Sequence, residues 1–83
     1  MYLSIVDVKP IEKYRLLLKF ENGEERIFDV APFLELGQYS ELKDIGLFKS
    51  VRTSFDSIQW ANKLDFDPEF LHEKSLLVQK SVE

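Results

Sequence analysis

Residues 14–30, Y-R-L-L-L-K-F-E-N-G-E-E-R-I-F-D-V, carry the clearest secondary-structure signal in the chain. Two runs of residues that favour strands flank Asn22 and Gly23, and both of these turn residues tolerate the positive φ that a tight hairpin needs. The sequence therefore predicts a β-hairpin, which is the nucleus of a small antiparallel sheet.

The loop length of this hairpin decides which side chains share a face. A two-residue loop, Asn22-Gly23, would place Phe28 opposite Leu17 and divide the apolar residues between both faces. A three-residue loop that begins at Glu21, with a left-handed glycine, gathers them on one face instead. We favour the three-residue loop because a small sheet needs one buried face, here formed by Leu16, Leu18, Phe20, Phe28 and Val30.

Strands are also predicted on both sides of the hairpin. Residues 2–9 alternate like a first strand, and Pro10 is expected to end it because proline lacks a backbone donor. Residues 51–60 favour two short strands with a turn at Asp56-Ser57, and we expect both to join the hairpin sheet. Residues 64–66 are predicted to be extended.

Short helices are predicted between these strands. Residues 31–37 carry a proline suited to a first helical turn and a glycine suited to a helix end. Ser40 is expected to cap residues 41–45, and Asp44 is expected to cap residues 46–51, with Gly46 separating or kinking the two segments. The residues expected to face inward are Leu42, Ile45, Leu47, Phe48 and Val51.

The last predicted element is a helix that starts at Asp67-Pro68-Glu69. Aspartate accepts otherwise unpaired amide hydrogens, proline fits the first helical position, and an early glutamate suits the helix dipole. Its inward stripe is expected to be Phe70, Leu71, Leu77 and Val78. The whole chain is thus expected to be one α+β domain over residues 1–78, a small antiparallel sheet packed against short helices and a C-terminal helix, with a frayed polar tail at residues 79–83.

Five residues around this helix start have the chemistry of a metal site or an acid–base pair: Asp65, Asp67, Glu69, His72 and Glu73. His72 and Glu73 are adjacent and diverge on a helix, so Glu69 and His72 are the pair that can share a side. The chain has one histidine, and a metal needs three or four converging ligands. We therefore expect a helix cap, with no metal or other cofactor.

Other reactive arrangements have little support. The single histidine lacks a nucleophile elbow, and Gly23, Gly37 and Gly46 are too far apart to form a phosphate-binding loop. Trp60 is expected to be a core anchor rather than a binding aromatic. The sequence predicts no enzyme activity.

Composition limits the class of protein further. The chain has 83 residues, 45% of them hydrophobic, and a core of this size is marginal, so a homodimer is a natural way to enlarge it. The absence of cysteine suits the reducing cytosol, and neither a signal peptide nor an 18-residue apolar stretch is present. We expect a soluble cytoplasmic protein with no membrane association.

The formal charge is −4, and its signs are interspersed along the chain. Binding to a phosphate backbone depends on clustered cations, so nucleic acid is not an expected partner. One alternative is a basic hairpin face of Arg15, Lys19 and Arg26, although a solvated sheet face is the ordinary interpretation of such residues.

Three runs of the chain resemble the bacterial family catalogued as domain of unknown function 2442. They are Y-R-L-L-L-K-F-E-N-G-E-E-R-I-F-D-V-A-P-F-L-E-L, L-K-D-I-G-L-F-K-S-V and I-Q-W-A-N-K-L-D-F-D-P-E-F-L-H, and the resemblance covers nearly all of residues 5–75. Ala61 departs from it, since similar sequences often have proline there. The markers of the family are Asn22, Gly23, Asp29, Leu47, Phe48, Trp60, Asp65, Asp67, Pro68 and Leu71.

The resemblance implies a compact α+β domain with no established catalytic activity. It also implies a small partner protein encoded nearby, of the domain of unknown function 4160 family, in a pair that looks like a toxin and an antitoxin. We therefore expect a protein-interaction module. If the pair is a toxin and an antitoxin, this chain is expected to be the antitoxin-like member. The alternatives are a nucleic-acid-linked regulator that uses the basic hairpin, and a metal-dependent enzyme at Glu69 and His72.

Overall fold

The computed structural model describes residues 3–78 and shows an α+β fold, as predicted. Two antiparallel sheets are present, one of four strands in the order β1-β2-β3-β7 and one of three strands in the order β4-β5-β6. The strands are β1 (Ile5–Ile11), β2 (Arg15–Phe20), β3 (Glu25–Asp29), β4 (Arg52–Ser54), β5 (Ser57–Gln59), β6 (Asp65–Phe66) and β7 (Leu76–Leu77). The helical segments are two 3₁₀ helices (Ala31–Phe33 and Gly37–Lys43), α1 (Ile45–Phe48) and α2 (Pro68–Lys74).

The hairpin of β2 and β3 has the predicted three-residue loop. Leu16 pairs with Phe28, and the Gly23 amide donates to the Phe20 carbonyl oxygen at 2.9 Å. Gly23 has a φ of +91°, which is the left-handed conformation that this loop requires. All five apolar residues assigned to the inner face are buried: Leu16, Leu18, Phe20, Phe28 and Val30.

The first strand is longer than predicted. β1 continues through Pro10 to Ile11, and Pro10 pairs with Leu16 of β2. Proline is tolerated here because β1 is an edge strand of its sheet, where a backbone nitrogen without a hydrogen can face away from the neighbouring strand. The prediction that Pro10 ends the strand was therefore wrong.

The strands predicted in residues 51–60 exist, but the prediction that they join the hairpin sheet was wrong. β4 and β5 pair with each other and then with β6. β7 takes the edge of β3, and the other edge strand, β1, contains Pro10, which has no amide hydrogen to donate to an added strand. Ser54 pairs with Ser57, so the turn lies at Phe55-Asp56 instead of Asp56-Ser57. The Ile5 amide donates to the Asp56 carbonyl oxygen at 3.0 Å, and the two sheets meet at this corner.

Of the two helix caps predicted in this region, the one at Asp44 is present and the one at Ser40 is not. The Asp44 carboxylate accepts the amide hydrogens of Gly46 (2.9 Å) and Leu47 (3.3 Å), which confirms it as the cap of α1. Gly37 begins the second 3₁₀ helix, and Ser40 lies inside that helix with its hydroxyl donating to the Gly37 carbonyl oxygen at 2.8 Å. The expected helix end at Gly37, the cap at Ser40 and the break at Gly46, which lies within α1, were therefore wrong.

One residue of the expected inward set faces solvent. Leu42, Phe48 and Val51 are buried, and Leu47 packs against the core. Ile45, in contrast, is 51% exposed. The reason is the length of α1, since a helix of four residues has a single turn and turns only one side inward.

The last helix begins as predicted and ends early. Asp67 caps α2, Leu71 is buried, and Phe70 packs against the core, as expected. However, α2 ends at Lys74. Leu77 belongs to β7 and is 49% exposed. Arg26 explains the ending, because its guanidinium donates to the Ser75 hydroxyl (2.8 Å) and carbonyl oxygen (2.9 Å). The helical stripe predicted for Leu77 and Val78 was therefore wrong, and the predicted tail at 79–83 lies outside the described residues.

The core lies between the inner face of the four-stranded sheet and the segments that follow the hairpin. Trp60 is fully buried, and its indole Nε1 donates to the Phe48 carbonyl oxygen at 3.0 Å, which confirms the expected core anchor. A buried tryptophan needs such a partner for its N–H. In the span from residue 3 to residue 78, no helix is long and apolar enough to cross a membrane.

Candidate functional site

A groove lined by aromatic residues lies where the 3₁₀ segments meet β6 and α2. Its volume is about 580 Å³. We call it the aromatic groove, and its lining residues are Phe33, Leu36, Tyr39, Asp65, Phe66, Asp67 and Phe70.

One wall of the groove is built by consecutive turns of the chain. The Phe33 amide donates to Val30 (2.8 Å), the Leu36 amide to Phe33 (3.0 Å), and the Tyr39 amide to Leu36 (2.9 Å). The first two bonds close turns of 3₁₀ type, in which side chains three residues apart lie on the same side, and the third closes a turn through Gly37, whose φ is +44°. Phe33, Leu36 and Tyr39 all line this wall, and the Asp29 carboxylate fixes its start by accepting the Ala31 amide hydrogen at 3.0 Å.

The floor and the second wall come from β6 and α2. Phe66 is only 8% exposed, and its ring stacks on Tyr39 (centroids 4.8 Å apart) and on Phe70 (5.8 Å). Phe33 meets Phe66 edge to face at 5.5 Å. The Tyr39 hydroxyl donates to the Asp65 carbonyl oxygen at 3.0 Å, which ties the first wall to β6. The groove is thus formed by mutually supporting rings rather than by isolated side chains.

The rim of the groove carries negative charge. Asp65 and Asp67 are both exposed and flank Phe66 in the chain. Burial raises the pKa of Tyr39 above its ordinary value of 10.0, and the charge of Asp65 raises it further. One Asp67 oxygen accepts the Glu69 amide hydrogen at 2.9 Å, so this carboxylate both caps α2 and contributes charge to the rim.

A second cavity of about 510 Å³ lies on the other side of the same segment, between the β4–β5 turn and residues 65–68. Phe55, at the tip of that turn, is fully exposed and has a positive φ of 56°. The Ser57 hydroxyl donates to the Phe66 carbonyl oxygen and holds the turn against β6. This cavity is less apolar in its lining than the aromatic groove, and we regard it as secondary.

His72, one member of the candidate metal pair, is bonded to the hairpin. His72 lies 2.9 Å from Glu24 of the hairpin, measured from Nε2 to Oε1, and Glu24 also pairs with Arg26 at 3.3 Å. The hydrogen bond from His72 is the largest cause of the lowered pKa of Glu24. Exposed Glu69 follows the cap of α2, and residues 3–78 contain no group of three or more histidines and carboxylates arranged to hold a metal ion.

The basic hairpin residues do not form one face. Arg15 and Lys19 are opposite Asp29 and Glu25 on the outer side of the sheet. Arg26 pairs with buried Leu18 and is largely covered, with 15% of its side chain exposed. Its contacts to Glu24 and Ser75 hold β3 to the end of α2.

The marker residues of the family resemblance occupy defined structural positions. Asn22 accepts the Glu24 amide hydrogen at 3.0 Å within the hairpin loop, and Pro68 is the first residue of α2. Sequence reasoning found Asp65 and Asp67 but missed the aromatic groove beside them. The signal that could have found it is the three-residue spacing of Phe33, Leu36 and Tyr39; the prediction placed the first two in a short helix at residues 31–37 and assigned Tyr39 to no element.

A small α+β domain with an acidic, aromatic groove is the class of protein that these features define. The chain belongs to the family described as Protein of unknown function (DUF2442), whose family model matches residues 5–75, and the predicted resemblance is thereby confirmed. Searches of curated proteins and of solved structures gave no match.

Proposed function

We propose that this chain is a non-catalytic protein-interaction module that binds a basic segment of a partner protein in the aromatic groove. The observation that carries the proposal is the position of two exposed carboxylates, Asp65 and Asp67, beside the rings of Tyr39, Phe66 and Phe70.

The chemistry of this groove suits a long cationic side chain. The aliphatic part of a lysine or arginine can pack against the rings while the charged end reaches the rim. A cation close to an aromatic face gains about 0.5–2 kcal/mol, and arginine adds planar stacking and paired hydrogen bonds to carboxylate. The groove therefore fits arginine better than lysine.

The charge of the whole chain supports the same kind of partner. A formal charge of −4 favours the approach of a basic protein and disfavours an acidic one. Exposed charges are screened over about 8 Å at physiological ionic strength, so salt should slow and weaken the association.

The partner implied by the family resemblance is a small protein encoded nearby. Within this proposal the chain acts in the cytosol as the antitoxin-like member of that pair, which is consistent with the lack of cysteine. Co-expression tests this part. We expect the two proteins to co-purify and the chain to relieve any growth defect that the neighbour causes; separate elution together with unrelieved growth would contradict the pairing.

The groove itself is tested by NMR titration of the ¹⁵N-labelled chain with a short arginine peptide. A cation–π contact of about 0.5–2 kcal/mol and a charged hydrogen bond of about 1.5–3 kcal/mol together predict a Kd on the order of 1–10 mM. We expect amide shifts at Tyr39 and at residues 65–70, and much smaller shifts with the same peptide carrying glutamine in place of arginine. Equal shifts with both peptides, or shifts that avoid the groove, would rule out this binding mode.

Matched variants separate groove charge from total charge. Asp65→Asn removes a rim carboxylate, whereas Glu73→Gln removes one exposed carboxylate outside the groove. We expect Asp65→Asn to weaken peptide binding several-fold and Glu73→Gln to change it little. Similar losses in both variants would indicate non-specific attraction by net charge.

A further inference from the structure

The four-stranded sheet has an outer face on the side opposite the core. Six residues of its two central strands alternate with the buried ones: Arg15, Leu17 and Lys19 on β2, and Glu25, Ile27 and Asp29 on β3. Lys19 and Asp29 are exposed, and Leu17 and Ile27 are partly exposed. Leu76 of β7 pairs with Ile27 and is 76% exposed, so an apolar row of Leu17, Ile27 and Leu76 covers three strands and ends at Lys9 of β1, which is opposite Leu17.

The charges on the two central strands have a simple arrangement. β2 carries a cation at each end of the face, Arg15 and Lys19, and β3 carries an anion at each end, Asp29 and Glu25. Arg15 is opposite Asp29, and Lys19 is opposite Glu25, with Leu17 opposite Ile27 between them. The two central strands are therefore positive on β2, negative on β3 and apolar at their centre, while β1 adds Asp7 beside Lys19 and Lys9 beside Leu17.

We propose that this outer face binds a second copy of the chain, face to face, about a two-fold axis that runs between β2 and β3 and parallel to them. A half-turn about that axis places β2 of each copy over β3 of the other. Arg15 then meets the second copy's Asp29, Lys19 meets its Glu25, and Leu17 meets its Ile27. All six positions on the central strands are complementary, as an interface between identical surfaces requires, and at the flanks Lys9 of β1 lies over Leu76 of the second copy.

The pattern favours a second copy over other occupants. A strongly basic or strongly acidic partner would meet like charge on one of the two central strands, whereas the same chain meets opposite charge on both. Intrachain contacts leave these groups accessible, since Arg15 lies 4.0 Å from Glu12 and Asp29 uses one oxygen to accept the Ala31 amide hydrogen. Opposite charges across strands also stabilise a single sheet, so the test must separate that role from assembly.

The size of the face predicts a weak dimer. Four strands of about five residues cover roughly 20 Å by 17 Å, and facing sheets pack about 10 Å apart with strand directions within about 30°. A stable interface buries about 800 Å² on each partner, which is more than this face alone supplies. Association should therefore depend on concentration in the micromolar to millimolar range.

Sedimentation equilibrium of the full chain between about 10 µM and 1 mM tests the proposal. We expect the average mass to rise from 9.8 kDa toward twice that value. Lys19→Glu and Glu25→Lys should each raise the dissociation constant about tenfold, because each places like charges in contact twice per dimer. Lys49→Glu, at an exposed lysine outside this face, changes the net charge by the same amount as Lys19→Glu and should associate like the original chain.

Mixing the two variants is the decisive step. Glu at position 19 of one copy then meets Lys at position 25 of the other, and the unaltered Lys19 and Glu25 meet as before, so both contacts are restored. We expect the mixture to associate about as strongly as the original chain, with circular dichroism confirming that each variant is folded. A mixture that stays monomeric, or an original chain that remains at 9.8 kDa up to 1 mM, would overturn the proposal.

Discussion

Asp67 is assigned two separable tasks, and two substitutions distinguish them. Its carboxylate caps α2 by accepting the Glu69 amide hydrogen at 2.9 Å, and it also places negative charge on the rim of the aromatic groove. Asp67→Ala removes both features. Asp67→Asn removes the charge and keeps the cap, because asparagine is as good a capping residue as aspartate.

The expected loss of stability follows from the cap. Replacing a capping aspartate by alanine costs about 1 kcal/mol, and the total for a domain of this length is on the order of 4–12 kcal/mol. With a urea dependence of about 1–2 kcal/mol per molar, Asp67→Ala should lower the unfolding midpoint by about 0.5–1 M. Asp67→Asn should lower it by much less.

Urea unfolding followed by Trp60 fluorescence measures the stability, and peptide titration of the same samples measures the binding. We expect both variants to bind the arginine peptide more weakly and only Asp67→Ala to be clearly destabilised. The reasoning would be refuted if Asp67→Asn lost as much stability as Asp67→Ala, or if Asp67→Asn bound the peptide as well as the original chain does.

Three further predictions concern the fold. Trp60→Phe should cost about 2–4 kcal/mol in chemical unfolding, because it loses the hydrogen bond to the Phe48 carbonyl oxygen and leaves a cavity; a cost below about 1 kcal/mol would contradict the anchor role. Gly23→Ala should cost about 1 kcal/mol through its positive φ alone, since an added methyl group meets no atom within 4 Å, and an unchanged unfolding midpoint would count against the three-residue loop. The hydrogen bond to His72 is the largest cause of the lowered pKa of Glu24 in the folded chain. The ionised Glu24 therefore stabilises the fold at a pH above 4.5, the ordinary pKa, and this stabilisation is lost as the pH falls through the lowered pKa. Glu24→Gln should therefore show a shallower loss of stability in acid, and an unchanged acid slope in thermal unfolding would contradict this linkage.

The parts of the fold that sequence reasoning predicted are those set by neighbouring residues. The hairpin loop follows from Asn22-Gly23 together with the need for one buried face, and the caps at Asp44 and Asp67 follow from local hydrogen-bonding chemistry. These signals act within a few residues, so a single sequence contains them.

The parts that were mispredicted depend on residues far apart in the chain. α2 ends where Arg26 binds Ser75, 49 residues further along, and the same contact directs Leu76–Leu77 onto β3. β7 takes that edge, and β4 and β5 pair with β6 in a separate sheet. No local pattern near Ser75 indicates either outcome, since apolar residues there suit a helical stripe equally well.

Only part of the aromatic groove could be predicted from the sequence. Asp65 and Asp67 stood out by their chemistry, and the rings of Phe66 and Phe70 lie close to them in the sequence. The opposite wall, which contains Phe33 and Tyr39, comes from a segment about 25 to 35 residues earlier in the chain, and no local pattern links the two. The folded chain brings the two sets together through the bond from the Tyr39 hydroxyl to Asp65.

Binding in the aromatic groove can be observed directly through intermolecular nuclear Overhauser effects between an isotope-labelled arginine peptide and the unlabelled chain. We expect contacts from the arginine side-chain methylene protons to the rings of Tyr39 and Phe70. Contacts at saturating peptide that lie only on the outer sheet face, or only around Phe55, would contradict this binding mode.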